Sequence, residues 1–327
     1  MKNNNINNNM PDRTQYYKVT VILLIIVLSI LVYFQFKHYY CHHKYTFISN
    51  ECSDLVISKK GYVGLKDNLE KYFEKQKADG KLLEVSVYFR DLNNGPVMGI
   101  NEMETFSSAS LLKLPIVMGV LKMAEDTPEI MDIKMVNEGE TNSAVNQFFV
   151  PDKKIERNVA YSIQDLIYYA LSYSDNTAIK MLYEFMDIKK NDTDNLPAVF
   201  KDLGLTLPTD LEDRDISTRS YSSLYRLLYN SSYLNSEYSD MVLEYLKGSH
   251  FTRGLTAGVP ENIVIAHKFG ERYIGDIKQL HDCGIVYYPN NPYLLCVMTQ
   301  GENWDELADT IKTVSSKVYI EVDSRKL

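Results

Sequence analysis

The sequence centres on Phe106-Ser107-Ser108-Ala109-Ser110-Leu111-Leu112-Lys113-Leu114-Pro115-Ile116-Val117-Met118-Gly119-Val120-Leu121. Small hydroxyl residues lead directly into a helix that is apolar on all sides, and such a helix belongs inside a domain. One charge interrupts it, Lys113. Ser110 stands one helical turn earlier, and residues three apart share a helix face. Burial disfavours the ammonium form of a lysine and lowers its pKa, so that the amine can take a proton from a nearby hydroxyl. Ser110 is therefore a candidate nucleophile. A blander account of the same residues is a chance spacing, with a lysine that snorkels to the surface. The rest of the chain decides between them.

The chain has 327 residues, 45% of them hydrophobic and 24% charged, with a formal net charge of -8. This is the composition of an ordinary globular protein of one large or two modest domains. A negative balance without a Lys/Arg cluster argues against nucleic acid as partner. No phosphate-binding glycine loop and no internal repeat is present. Of the four cysteines, no two form a Cys-x-x-Cys half-site, which argues against zinc, and no cofactor or metal is expected. Cys41 and Cys52 can pair if their region lies outside the cell. Cys283 and Cys296 fall on two expected strands and are read as buried free thiols.

Outward from the central stretch, the polar, Asn-rich start predicts a disordered tail over 1–18. From Val19 to Phe36 the sequence is almost wholly apolar and long enough to cross a bilayer. The following Lys37-His38-Tyr39-Tyr40-Cys41 offers no small-residue cleavage site, so the segment reads as an uncleaved N-terminal transmembrane anchor. Residues 37–60 form a juxtamembrane linker and 61–327 the globular domain. Within it, Leu65, Leu69, Tyr72 and Phe73 recur at helical spacing up to Gly80, and Leu83–Arg90 alternates as a strand. Asn93-Asn94-Gly95 then turns a hairpin into Val97–Ile100. The middle, about 106–255, is mostly helical in period. Ile263–Ala266, Gly284–Tyr288 and Tyr293–Met298 read as three strands, and a last helix carries Trp304, Leu307, Ile311, Val314 and Val318 on one face. Strands at both ends of the domain predict an α+β fold: one antiparallel sheet flanked by helices, with a helical block inserted between its strands. The cleft is expected where sheet and block meet.

Two further constellations share this framework. Ser174-Asp175-Asn176 follows an expected helix over Tyr161–Tyr173, and taken alone it is an ordinary capped turn between helices. Ala266-His267-Lys268-Phe269-Gly270 ends the first late strand, where a lysine and a glycine are unremarkable by themselves. In this order and at these distances, however, the three resemble the signatures Ser-x-x-Lys, Ser-Asp-Asn and Lys-Thr/Ser-Gly of the class A serine β-lactamases and the penicillin-binding D-alanyl-D-alanine peptidases. The resemblance covers the chain from about residue 60 to the C-terminus and implies the β-lactamase/transpeptidase-like fold.

It also implies roles. Ser110 forms an acyl-enzyme with a β-lactam or acyl-peptide carbonyl, Lys113 takes or relays its proton, and Ser174 carries the proton to the leaving nitrogen. Lys268 keeps the site positive, Asn176 holds the substrate's amide side chain, and Gly270 belongs to the third motif. The backbone N–H groups of Ser110 and Glu271 bind the oxyanion. Preorganised donors of that kind are worth about 3 kcal/mol.

Two departures stand out. Phe269 occupies the position of a hydroxyl residue that helps bind the substrate carboxylate, and losing a hydrogen bond to a charged group costs about 1.5–3 kcal/mol. Arg253 and Arg272 are the candidates to replace it, since arginine grips carboxylates with two donors. Class A enzymes also release the acyl group with the glutamate of a Glu-x-x-Leu-Asn segment, which this sequence lacks. Asp210 and Glu212 are the nearest stand-ins, and loop-end ion pairs with Arg214 are their plainer reading. The expectation is a membrane-anchored, extracytoplasmic serine hydrolase of β-lactamase type, acting on β-lactam antibiotics. A D-alanyl-D-alanine peptidase on peptidoglycan is the alternative in the same fold, and a non-catalytic binding module the alternative of another class.

Overall fold

The computed structural model describes residues 13–42, 47–48, 61–93, 95–139, 147–188, 196–206 and 216–325. It divides into two units, one holding the N-terminal helix and the other residues 47–49 and 55–327. The first unit is the helix α1 (Arg13–His42), thirty residues long. It begins inside the tail expected to be disordered and runs into the expected linker, because the polar residues flanking the apolar run continue its helical backbone. Its side chains are described from 17 to 33. Among the described residues no helix is long and apolar enough to cross a membrane. The span expected over 19–36 reaches past those side chains, and a crossing needs about 20 residues. The pairing of Cys41 with Cys52, most of the linker, and Asp210, Glu212 and Arg214 lie outside the described residues.

The second unit opens with α2 (Val63–Ala78), which Gly80 closes at φ +73°, as a glycine can without steric cost. The hairpin β1 (Glu84–Asp91) and β2 (Val97–Ile100) follows, then the short β3 (Thr105–Phe106). A 3-10 turn over Ala109–Leu112 leads into α3 (Lys113–Asp126). Pro115 sits in the first turn of α3, where its missing N–H has no intrahelical partner to lose. The helical block continues through the small pair β4 (Lys134–Val136) and β5 (Ala160–Ser162), then α4 (Ile163–Ser172), α5 (Asn176–Ile188) and α6 (Leu196–Asp202). After β6 (Ile216–Ser217) come α7 (Thr218–Tyr229) and α8 (Ser236–Lys247). Reciprocal capping boxes start two of these helices, Ser162 with Asp165 on α4 and Ser217 with Ser220 on α7.

The chain then returns to the sheet with β7 (Ile265–Ile274), β8 (Ile277–Val286) and β9 (Tyr293–Gly301), and ends in α9 (Trp304–Ser324). The five strands order as β2-β1-β9-β8-β7, so that β7 is an edge, and every neighbouring pair is antiparallel. Strand alternation divides the core in two. Val87, Phe89, Val297, Ile265 and Phe269 meet α2 and α9 on one face. Ala266, Cys283, Ile285, Leu294 and Met298 meet the helical block on the other.

Two readings are corrected. The third motif lies in the middle of β7 rather than at a strand's end, because Glu271, Arg272 and Tyr273 continue the ladder with Leu280, Gln279 and Lys278. Cys283 and Cys296 are joined as a disulfide, not free, because the β8–β9 register places them directly opposite each other.

Candidate active site

Three segments meet at the edge of the sheet. The turn carrying Ser110 is bound down on all sides. Ser107 receives its anchor from the sheet: its N–H donates to Gln279 Oε1 at 3.1 Å, its carbonyl lies 3.0 Å from His281 Nε2, and its hydroxyl accepts from Arg272 at 3.1 Å. From the helical side, Tyr221 on α7 donates to the Leu111 carbonyl at 3.1 Å. Ala109, immediately before the serine, has φ +47°, a conformation that L-residues adopt only where the surroundings enforce it.

The second segment is the turn between α4 and α5. Asp175 works for the backbone: its two carboxylate oxygens accept the N–H of Ala178 at 2.8 Å and of Ile155 at 2.9 Å. This caps α5 and ties the turn to the segment before β5. Ser174, with φ +52°, is held so that its hydroxyl and carbonyl both face Lys113.

Lys113 is 4% exposed and its Nζ is surrounded by four oxygens. They are Ser110 Oγ at 3.1 Å, Ser174 O at 2.5 Å, Ser174 Oγ at 3.1 Å and Asn176 Oδ1 at 2.7 Å. Even a protonated amine has only three hydrogens, so one of the two hydroxyls is free to point its own proton at the nitrogen when the amine is neutral. That form is accessible, because burial brings the Lys113 pKa down to about 7 against the opposing pull of Asp175 and Glu271. Lys268 approaches Ser174 from the other side, with Nζ 2.8 Å from Ser174 Oγ and 2.8 Å from its neighbour's carbonyl, Phe269 O. Its pKa lies well below the usual lysine value, through burial first and then the charge of Lys113. Ser110, Lys113, Ser174, Asn176 and Lys268 thus form one connected array. It can pass a proton from Ser110 to Lys113 and on to whatever atom Ser174 faces.

The strand β7 passes close to the Ser110 turn because residue 270 is glycine. A Cβ there would lie 3.2 Å and 3.3 Å from the backbone nitrogens of Leu111 and Ser110. Beyond Gly270, the side chain of Glu271 accepts the backbone N–H groups of Phe148 at 3.0 Å and Phe149 at 3.2 Å. Burial raises its pKa, and these two hydrogen bonds oppose the rise. Phe269 is 1% exposed and stacks on Phe251 with centroids 4.5 Å apart. Lys268 Nζ lies 4.6 Å from the centre of the Phe269 ring. Arg272 is placed at Ser107, as described. Arg253 pairs instead with Asp305 at 2.7 Å, both side chains exposed, and lies over the Phe149 ring.

Several residues around this array have no signature in the sequence. Phe148 stacks on Trp304 at 5.5 Å and Phe149 stands edge-on to Phe251 and Phe269. His250 places its ring nitrogens 3.2 Å from Ser172 O and 3.3 Å from Phe149 O, and burial lowers its pKa. Behind Lys268, His267 and Asp282 form a buried pair at 2.7 Å, with Asp282 also accepting the Leu255 N–H at 2.9 Å. All are contacts between distant segments, and only the aromatic doublet Phe148-Phe149 was open to notice as an apolar pair in a polar run.

The family model of the Beta-lactamase enzyme family matches residues 64–322. The chain belongs to that family, and with it to the superfamily of serine β-lactamases and penicillin-binding proteins. No curated protein sequence matches it. Solved structures similar to it include the TLA-1 extended-spectrum β-lactamase, 20% identical over 80% of this chain and 99% of that one, with a TM-score of 0.69. PBP-A is 20% identical over 81% of this chain and 98% of its own, TM-score 0.66. A class A β-lactamase from Mycobacterium abscessus is 20% identical over 79% and 99%, TM-score 0.64. These likenesses establish the β-lactamase/transpeptidase-like α+β fold.

Proposed function

We propose that this protein is a serine hydrolase that forms an acyl-enzyme at Ser110 with β-lactams and hydrolyses them. The observation that carries the reading is the position of Lys113 Nζ, 3.1 Å from both Ser110 Oγ and Ser174 Oγ. In the neutral form Lys113 accepts the Ser110 proton as Oγ attacks the carbonyl carbon. The oxyanion forms against the N–H groups of Ser110 and Glu271, a reading supported by the close approach of β7 at Gly270 to the Ser110 backbone nitrogen. Ser174 then delivers a proton to the leaving nitrogen, its acidity raised by Lys268. Asn176 holds the acyl side chain while its Oδ1 fixes Lys113. Water cleaves the ester to complete the cycle.

A second reading, a penicillin-binding D-alanyl-D-alanine peptidase, is favoured by one feature: between α5 and β6 the sequence contains no Glu-x-x-Leu-Asn segment to activate that water. PBP-A, whose point mutant is known as an acyl-enzyme complex with penicillin G, shares the fold. The two separate when the full chain is mixed with a chromogenic cephalosporin and a fluorescent penicillin. Sustained turnover marks a lactamase, a long-lived adduct on Ser110 marks a peptidase-like protein, and the absence of both marks a binding module or a substrate outside this class.

The apolar run 19–36 is proposed as a single-pass anchor that holds the domain outside the cytoplasm, where β-lactams and peptidoglycan are met. Recovery of the full chain in the soluble fraction after membranes are pelleted overturns this.

A further inference from the structure

The leaving-group side of the site departs from its acylating side in a way that points to the substrate. A carboxylate beside the leaving nitrogen of an acyl donor is stabilised by a hydrogen-bond donor or a cation, and the resemblance puts such a donor at the position of Phe269. At 269 the side chain is a buried phenyl ring packed on Phe251. Of the cations nearby, Arg253 is paired with the carboxylate of Asp305, Lys268 gives two of its three donors to the hydroxyl of Ser174 and the carbonyl of Phe269, and Arg272 gives one N–H to the hydroxyl of Ser107.

The site also carries its own anion. The charge of Glu271 acts on both Lys113 and Lys268, so the positive field that would attract an anionic substrate is met from within. The carboxylate of Glu271 is held in place by the N–H groups of Phe148 and Phe149, and a second carboxylate brought beside it meets a like charge. Phe148 is 51% exposed and stacked on Trp304, which gives this rim an apolar surface.

We infer that the acyl donor this site prefers has an uncharged, apolar group on the leaving side, not a carboxylate. The inference rests on the acylation at Ser110 proposed above and alters only the half of the substrate that departs. The bond balance is unchanged. The Ser110 oxygen bonds to the acyl carbon, the carbon–nitrogen bond breaks, and the Ser110 proton ends on the leaving nitrogen by way of Lys113 and Ser174. β-Lactams still react through their strained ring, and their carboxylate becomes a hindrance.

The test compares benzylpenicillin with its methyl ester, which differ only in that charge. Rates of adduct formation on the full chain are followed by intact-protein mass, with the adduct mapped to Ser110. The expected result is that the ester acylates faster by about tenfold or more, the scale of the repulsion between two like charges a few ångströms apart at a protein surface. Phe269→Thr, in protein shown to be folded by circular dichroism, should narrow or reverse that ratio, as should Glu271→Gln. A wild-type rate for the acid equal to or above that for the ester overturns the inference and leaves acylation standing. No Ser110 adduct from either compound overturns the acylation reading, and this inference with it.

Discussion

On one side of Ser174 polar atoms converge, and on the other aromatic rings do. Ser110, Lys113, Ser174 and Asn176 sit on two turns whose backbone is fixed locally, by residues at φ +47° and +52° and by the Asp175 cap. The β7 side is built from Phe269, Phe251, Phe149 and Glu271, brought together from segments far apart in the chain. The contrast teaches that bond-making and recognition are separate constructions here. The first tolerates little change because each atom has a stated partner. The second is built around apolar packing, Phe269 on Phe251 with Phe149 edge-on to both.

The comparison breaks if the acylating side can be altered without chemical cost. Ser110→Ala should lower adduct formation by more than about 10³-fold, as removal of a nucleophile does, measured by mass after incubation with a penicillin. An adduct of equal yield on the variant would falsify the assignment. Lys113→Ala should cost about 10²–10⁴-fold in the acylation rate, the range of general base catalysis. On the proposed role of the neutral amine as base, the wild-type single-turnover rate should rise as pH climbs through about 7 and level off above it. The variant should lose that rise; an unchanged profile removes Lys113 from the role of base.

On the aromatic side the effects should appear in stability. Phe269→Ala empties a fully packed position and should destabilise the fold by about 3–5 kcal/mol in denaturant titration. A change under about 1 kcal/mol would mean that the ring cluster does not act as a packed core. Smallest of all, Arg253→Ala removes an exposed pair whose partners are 46% and 63% accessible. The unfolding free energy should move by no more than about 0.5 kcal/mol.

How much was legible in the sequence follows the same division. Ser110, Lys113, Ser174 and Asn176 could be read because one turn of chain sets each pair, and short spacing survives as a pattern of letters. The α+β architecture was readable from the switch between a period of two and a period of 3.6 residues. The extent of β7 was not, since an edge strand bearing Lys268, Glu271 and Arg272 carries no apolar alternation to mark its far half. Nor was the Cys283–Cys296 bond, which depends on register and not on spacing. The grip of Glu271 on Phe148 and Phe149 links residues more than a hundred positions apart, and no local rule reaches that far.

The two left-handed residues beside the cleft, Ala109 and Ser174, carry an evolutionary consequence. A non-glycine residue in such a conformation costs on the order of 1 kcal/mol or more. Glycine at 109 would relieve that torsion and let the turn before Ser110 relax, whereas glycine at 174 would also remove the hydroxyl that Lys113 and Lys268 face. At Ala109 durability and a fixed turn therefore pull in opposite directions. A search for heat-tolerant descendants of this chain should find changes there early, and find them paid for in turnover.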